Sequence, residues 1–451
     1  MKGYWQEILD YYDALPYEAL DAATIHQVQR SFLDYYACAV YTAKWKCCEK
    51  MVNLILDMTA PGEHRVFGSA RRGGIVGAAC ANASRISNIE MDDGSGINAA
   101  VHPGLYVWTG ALAAYEAHPC DIKTLFRAVV FGYDVCMRMG MLSEKTVSAL
   151  ELHGPGLAGG LGAVAAAGMV MGLDKEQMQN AFGITGSLLP ICPFVTFVRG
   201  ADAKDLYGGW GMLLAMTAVE AARRGLTGPK EIMDGVKSLK GFFSDSRGKD
   251  TAMGEPYYIN VIGFKEYAAC LAVHPAMTCV ETLQSKYDFT ADDVVRVEAR
   301  VSHSAFALSG NAPKPLTPTS ARLHLPYTIA VMLRRGVLRP EYFKEDCLTS
   351  ADFLALADKV CVVENKAYGG KKPIRACAMT ITLKDGRTLF EETLGIRWCD
   401  VGATDEGLVK KYRMLTEGIF TVEQQEQVLR EIMNLQDAQG LQRVLDALNA
   451  L

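Results

Sequence analysis

Three of the eight histidines in this 451-residue chain lie one or two residues before a proline that opens a run of small or apolar residues. They are His102 in HPGLY, His153 in HGPGLAGG and His274 in HPAMT. Proline is well tolerated in a helix's first turn, so each imidazole is predicted to lie near free backbone N–H groups and the positive end of a helix dipole. Such places attract anions, and histidine exchanges protons near neutral pH. The pattern predicts a pocket for an acidic substrate that gains or loses a proton.

Acidic residues accompany the first of these histidines. Asp92 and Asp93 precede the loop that ends at His102, and an acid beside a histidine orients the ring and raises its pKa. The pair also fits solvated loop residues or an N-cap, and the motif alone leaves both interpretations open. For His153 a surface turn is the alternative, but the adjacent glycines favour a ligand that approaches the backbone closely. His118 also precedes a proline, and we interpret it as structural.

Two lysines are candidates for binding a carboxylate. Lys204 is predicted at the start of a helix, where its charge opposes the dipole, although an exposed lysine is the alternative. Lys265 and Tyr267 lie within ten residues of His274 and supply a positive charge and a proton donor. Cys270 has no identifiable base beside it, so we interpret it as a core residue.

Composition argues against several classes of protein. Half of the residues are hydrophobic, the net charge is −5 and no long basic tract occurs, so nucleic acid is not an expected partner. The longest low-charge stretch, residues 154–173, is mostly Gly and Ala, which is typical of a packed core helix rather than a membrane span. Thirteen scattered cysteines and an N-terminus without a signal-peptide pattern predict a cytoplasmic protein with reduced thiols. The spacing of a zinc site is missing, and no metal is expected.

The elements that must position these residues are of two kinds. Residues 1–265 are predicted to form an all-α domain, with helical periodicity at 27–43, 74–88, 105–117, 122–141, 156–171, 174–188 and 203–224. Residues 266–402 are predicted to form a smaller α+β domain, with strands at 294–302, 359–364, 376–383 and 388–395 and helices at 274–286 and 320–335. A helical pattern returns at 405–451, so residues 403–451 are expected to join the first domain.

Taken together, these segments resemble the MmgE/PrpD family. The resemblance covers nearly the whole chain, and its motifs are short but ordered. Besides the residues above, it includes Leu33-Asp34, Asn82, Gly132-Tyr133-Asp134, Arg138, Gly172-Leu173, Gly200, Gly208, Gly225–Pro229, Ala321 and Pro326-Tyr327. Three segments depart from the family pattern: Gly94-Ser95 where a threonine often stands, Tyr267–Cys270 without the usual proline, and Ala321–His324 without the usual serine.

The resemblance implies a mainly α fold, with a large all-α domain formed by both chain ends and a smaller α+β lid. It also implies a homodimer and a lyase without a cofactor, acting on a small di- or tricarboxylate such as 2-methylcitrate. Carried over to this sequence, the catalytic residues are His102, His153, Lys204, His274 and Asp93. The substrate-binding residues are Asp92, Lys265, Tyr267 and Ser95.

The residues leave the reaction open. Dehydration, decarboxylation of the cis-aconitate type and epimerisation of the iminodisuccinate type all build negative charge beside a carboxylate, which lysines and helix N-termini stabilise. We favour dehydration on its frequency in the family. An inactive carboxylate-binding protein would not need the histidines, and a metal-dependent hydrolase would need ligand spacing that is absent.

Overall fold

The computed structural model describes residues 4–95, 97, 101–242, 253–310, 314–315, 317–369 and 375–451. Helices dominate both ends of the chain. In the first part they are α1 (Tyr4–Ala14), α2 (Ala22–Ala43), α3 (Glu49–Met58), α4 (Ile75–Ser87), α5 (Pro103–Ala117), α6 (Ile122–Ala149), α7 (Pro155–Val170), α8 (Lys175–Ser187), α9 (Val195–Val198) and α10 (Leu206–Arg223). Later helices are α11 (His274–Lys286), α12 (His303–Ala305), α13 (Pro318–Ala321), α14 (Leu325–Arg335), α15 (Glu345–Leu348), α16 (Ala351–Ala357), α17 (Asp405–Thr416), α18 (Val422–Met433) and α19 (Ala438–Asn449).

The strands form one four-stranded sheet and two short ribbons. They are β1 (His64–Arg65), β2 (Arg72–Gly73), β3 (Asp93–Ser95), β4 (Ile262–Phe264), β5 (Val294–Val301), β6 (Val360–Glu364), β7 (Ala376–Leu383) and β8 (Thr388–Leu394). The larger sheet has the order β6-β5-β7-β8, in which β6 is parallel to β5 and the other pairs are antiparallel. Helices α11 and α14 pack with this sheet, which confirms the predicted mainly α fold with a smaller α+β region.

Helix α7 is the centre of the first helical region, and every residue of it is buried. It packs against α5, α6 and α10. Its small residues permit this packing: a Cβ on Gly162 would lie 2.6 Å from the Cβ of Cys136 in α6, and one on Gly159 would lie 2.1 Å from the ring of Tyr106 in α5. The predicted core helix at this position is therefore confirmed. Among the described residues, no helix is both long and apolar enough to cross a bilayer.

The C-terminal helices pack against α2, near the start of the chain. Lys411 of α17 donates to the Asp34 carboxylate over 2.5 Å, and the hydroxyl of Tyr36 donates to the carbonyl of Val444 over 3.0 Å. Both contacts are buried, so the two chain ends share one core. This packing supports our assignment of residues 403–451 to the helical domain; the boundaries at 265 and 402 stay predictions.

Two predicted helices differ from the observed ones. The helix expected at 320–335 is divided into α13 and α14, because Pro326 cannot donate a backbone hydrogen bond and its ring excludes the carbonyl of a preceding turn. The His324 ring caps the second piece by accepting from the N–H of Tyr327 over 3.1 Å. Helix α6 runs past the predicted end at Met141 to Ala149, where polar residues replace the apolar pattern.

Candidate active site

The short ribbon of β3 and β4 joins two segments that are far apart in the sequence. Asp93 pairs with Phe264, and Ser95 pairs with Ile262, in antiparallel register. The next residues along each strand, Asp92 and Lys265, therefore lie across from each other. The Lys265 ammonium donates to Oδ1 of Asp92 over 2.9 Å, and only 1 % of Lys265 is exposed.

Glu90 is a charged residue of this candidate site that the sequence analysis missed. One carboxylate oxygen accepts from Lys265 over 2.7 Å, and the other is in close contact with the Lys204 ammonium. Its backbone has φ +53°, a conformation that residues other than glycine rarely adopt and that is more frequent at functional sites. The available signal was its place two residues before the acidic pair, at Asp92.

Lys204 reaches this network from the 3₁₀ turn Asp202–Asp205, directly before α10. The ammonium also donates to the carbonyl of Ser87 over 3.3 Å and lies 4.6 Å from the centre of the Phe197 ring. Two lysines and two carboxylates thus form one buried cluster, which we call the lysine–carboxylate cluster: Glu90, Asp92, Lys204 and Lys265.

The charges of this cluster stabilise one another. Burial alone would raise the pKa of Glu90, but the two ammonium groups hold that pKa well below its usual range. Burial alone would lower the pKa of Lys265, but Asp92 and Glu90 raise it. The charged forms of Glu90, Asp92 and Lys265 are therefore stabilised, and the formal charges of two lysines and two carboxylates cancel.

His102 lies beside this cluster as the residue before α5. Its Nδ1 is within hydrogen-bond distance of the Asp93 carbonyl and 3.5 Å from Oδ2 of Asp92. A carbonyl oxygen can only accept, so Nδ1 carries the proton and Nε2 bears a lone pair in the neutral ring. Burial lowers the pKa of His102, although Asp92 partly opposes this effect. His102 is thus a neutral base whose Nε2 has no hydrogen-bond partner among the described residues.

The Asp93 carboxylate binds the start of α5. It accepts from the N–H of Gly104 over 2.9 and 3.0 Å and from the Tyr133 hydroxyl over 2.8 Å. Burial raises the pKa of Asp93 well above its usual range. These contacts hold the helix that carries His102, so Asp93 positions its neighbour; a direct catalytic role for it stays a prediction.

His153 precedes α7 and is surrounded by aromatic rings. The ring centres of Phe194 and Phe197 are each 6.0 Å away, and that of Tyr207 is 5.4 Å away. Burial lowers the pKa of His153 to about 3, and Lys204 lowers it further. Its Nδ1 is buried without a hydrogen-bond partner among the described residues. His153 therefore adds a second neutral imidazole close to Lys204.

His274 begins α11 and is buried. Its Nε2 donates to the carbonyl of Ala269 over 3.2 Å, and its ring meets the edge of Tyr267 at 5.2 Å between centres. Burial, followed by Lys265, lowers the pKa of His274 to about 3. The structure thus brings the predicted histidines and lysines into one electrostatically coupled region.

Two predicted substrate-binding residues use their side chains within the chain. The Tyr267 hydroxyl donates to Glu281 over 3.0 Å and receives a contact from Arg397 at 3.4 Å. The Ser95 hydroxyl accepts from the N–H of Ile97 over 3.1 Å. Their roles in binding substrate stay predictions. Residues 96 and 98–100, in the loop that ends at His102, lie outside the described residues.

This combination of fold and site defines a class of protein. Residues 6–252 match the MmgE/PrpD N-terminal domain, and residues 267–437 match the MmgE/PrpD C-terminal domain. The chain belongs to the MmgE/PrpD family, as the motifs indicated.

Several curated relatives are named for one activity on a carboxylate. The cis-aconitate decarboxylase-like protein oryM of Aspergillus oryzae is 24% identical over 477 residues, covering 97% of this chain and 96% of the relative. The cis-aconitate decarboxylase of Aspergillus terreus is 23% identical over 490 residues, covering 99% and 96%. The mouse cis-aconitate decarboxylase is 24% identical over 390 residues, covering 82% and 78%. The similarity supports membership of a lyase family that acts on carboxylates.

Proposed function

We propose that this chain is a lyase that decarboxylates a small unsaturated tricarboxylate of the cis-aconitate class by general acid–base catalysis. The observation that carries the proposal is Nε2 of His102, which has no hydrogen-bond partner in the described part of the chain and lies beside a buried, charge-balanced cluster of two lysines and two carboxylates. The names of the relatives support the same substrate class. The catalytic groups all belong to the chain, and the proposed reaction needs no cofactor.

Decarboxylation fits the electrostatics of the site. The bond between the departing carboxylate and its carbon breaks, and CO2 leaves. The electron pair passes through the double bond and is delocalised toward a remaining carboxylate, and one proton then adds to carbon. A trianion and one proton thus give a dianion and CO2. The lysine–carboxylate cluster has no net formal charge, so it offers the departing carboxylate little net attraction, and loss of that charge as neutral CO2 is favoured there.

His102 would supply the proton only after substrate binds. In the empty site its pKa is lowered, so the ring is neutral at pH 7. A bound polyanion raises the pKa of a nearby histidine because opposite charge favours the protonated form. Proton uptake on binding is therefore expected. Calorimetric titration of a non-reacting tricarboxylate in buffers with different ionisation enthalpies measures it; no buffer dependence would contradict this step.

Dehydration is the second candidate, which the sequence analysis favoured. Its first step removes a proton next to a carboxylate, and the lone pair on Nε2 of His102 is suited to that step. Expulsion of hydroxide also needs a protonated acid, so dehydration requires one neutral and one protonated histidine in the same complex, whereas decarboxylation requires only the protonated one. Epimerisation would use His102 and His153 as bases on two faces of the substrate.

Products followed by NMR in D2O distinguish these reactions. cis-Aconitate, citrate, 2-methylcitrate and aminodicarboxylates are supplied separately. We expect CO2 release with one deuteron in the product; loss of water would indicate dehydration, and exchange without net change would indicate epimerisation.

His102→Asn should lower turnover about 100-fold or more, because a positioned acid–base group contributes about that factor. His118→Asn, which also precedes a proline, is the matched control and should retain full activity. Full activity of the His102 variant would refute the assignment.

A further inference from the structure

Arg322 is a buried cation that lacks a partner. It lies between α13 and α14, and only 1 % of the residue is exposed. None of its three guanidinium nitrogens has a hydrogen-bond partner among the described residues. Its guanidinium carbon is 5.8 Å from the centre of the Phe343 ring, which does not replace five N–H donors. An unpaired buried charge of this kind destabilises a folded protein.

The surroundings of Arg322 contain further polar atoms without partners. Oδ1 of Asp205 and Nε of Arg85 are both buried and unbonded among the described residues. Burial raises the pKa of the Cys48 thiol, and the charges of Asp205, Arg85 and Arg322 are all near enough to affect that pKa. Other acidic residues are near these groups: Glu341 and Arg322 both act on Tyr41, and Glu49 acts on Arg85. None of the described carboxylates bonds the guanidinium of Arg322.

This neighbourhood adjoins the lysine–carboxylate cluster. The N–H of Cys270 donates to the carbonyl of Arg322 over 3.1 Å, just after the segment that carries Lys265. The hydroxyl of Thr317, at the start of α13, donates to the carbonyl of Gly200 over 2.8 Å, just before Lys204. Both lysine-bearing loops therefore contact the segment that carries Arg322. Asp205 directly follows Lys204 and lies in the fields of both Lys204 and Arg322.

The charge balance of the site leaves a requirement for further positive charge, which Arg322 can meet. The lysine–carboxylate cluster is neutral, because each lysine is already paired with a carboxylate of the chain. It therefore cannot neutralise a substrate that carries three negative charges. We propose that Arg322 binds a substrate carboxylate remote from the reacting carbon and thereby selects polycarboxylates. This inference rests on the proposed function, and it uses the planar fork of guanidinium, which matches a carboxylate with two parallel hydrogen bonds.

The first test measures stability without ligand. Arg322→Met keeps an apolar stem and removes the unpaired charge, so the variant should unfold at a temperature equal to or higher than the wild type. Arg335→Met is the control, because Arg335 also lies against aromatic rings but is exposed. A lower unfolding temperature of Arg322→Met would show that Arg322 supports the fold, and would overturn the proposal.

The second test compares two acids by calorimetry and by kinetics. cis-Aconitate is compared with an unsaturated dicarboxylate that lacks the remote carboxylate. Arg322→Met should weaken binding of the tricarboxylate about 10- to 100-fold, the range for a charge-assisted contact, and leave the dicarboxylate unchanged. Arg322→Lys should recover part of the loss. Equal losses of affinity for both acids would mean that Arg322 does not bind the remote carboxylate. The same pattern of loss in Asp205→Asn would mean that Arg322 acts through Asp205 and not on substrate.

These measurements separate the two proposals. Arg322-dependent binding of the tricarboxylate without turnover would contradict the proposed reaction and support the role of Arg322. Turnover with equal binding by wild type and Arg322→Met would support the reaction and overturn the role of Arg322. No binding of either acid to the wild type would overturn both.

Discussion

Glu90 holds two buried lysines, and its replacement by glutamine is the sharpest test of the site's electrostatics. Glutamine has nearly the same size and keeps an acceptor oxygen, but it carries no charge. Lys204 then loses its carboxylate partner, and Lys265 keeps only Asp92. The variant isolates the charge of Glu90 from its volume.

The expected cost is set by burial. Removing one member of a buried ion pair costs about 3–5 kcal/mol, because the remaining charge stays in a medium of low polarity. The folded-state pKa of Glu90 agrees in direction: it lies well below the usual value, and each unit of that shift corresponds to about 1.4 kcal/mol of stability. We expect Glu90→Gln to lose about 3–5 kcal/mol of unfolding free energy at pH 7.

The dependence on pH follows from the sign of this shift. A carboxyl group with a depressed folded-state pKa stabilises the protein above its unfolded-state pKa, and the effect is lost as pH falls through the folded-state value. The difference between wild type and Glu90→Gln should therefore be constant from about pH 6 to 8 and should narrow below about pH 4.5. Urea titrations at each pH, followed by circular dichroism, measure the difference.

An exposed ion pair provides the control. Glu431 accepts two hydrogen bonds from Arg443, at 2.7 and 2.8 Å, on the surface. Glu431→Gln should cost less than about 1 kcal/mol, since solvent screens exposed pairs. If Glu90→Gln costs no more than Glu431→Gln, the lysines do not depend on Glu90, and the reasoning about the cluster is refuted.

Three further changes test other parts of the site. Asp93→Asn should lower the unfolding free energy by about 1–3 kcal/mol in a urea titration, because an amide NH2 replaces one of the two oxygens that accept from the Gly104 N–H and the Tyr133 hydroxyl. An unchanged unfolding free energy would contradict the capping of α5. Gly104→Ala should lower the unfolding temperature and turnover, since its Cβ would lie 2.8 Å from the Tyr133 hydroxyl and 2.9 Å from Asp93; an unchanged melting curve would contradict this close approach. The pKa of the wild-type His153 ring is about 3 in the folded protein and 6.5 as its ordinary value. Between these pH values the unfolded chain binds one more proton than the folded protein, so the unfolding free energy rises with pH. His153→Asn should make that rise smaller. An equal slope in both proteins between pH 5 and 7 would mean that His153 is not buried in its neutral form.

Local signals were sufficient to predict most of the helices and the position of the three histidines at the starts of helices. Each histidine precedes or begins a helix that has proline in its first turn, as the sequence indicated. The helix predicted at 174–188 is α8, and Asp174 is its N-cap, with a carboxylate that accepts from the N–H of Gln177 over 2.8 Å. These features depend on residues within a few positions of one another, so no knowledge of the fold was needed.

The central network depends on contacts that no local pattern contains. Glu90 and Lys265 are separated by 175 positions and meet because β3 and β4 pair. Both strands have only three residues, which is too short for an alternating pattern to be recognised. The acidic pair was recognised, but its two members have different partners: Asp92 binds Lys265, and Asp93 binds the start of α5.

The balance of charges explains how a buried site can take a multiply charged substrate and hold a proton for it. Two lysines would be unstable in this interior without Glu90 and Asp92, yet those carboxylates remove the positive charge that a polyanion needs. His274 is buried, and His102 and His153 are partly exposed. The pKa of each is lowered, so each ring is neutral at pH 7 and can accept a proton when negative charge arrives. Substrate binding would therefore create the acid that the reaction consumes. A histidine that is protonated only when the polyanion is bound would hold its proton next to the carbanion. The low pKa of these histidines would therefore serve catalysis as well as structure.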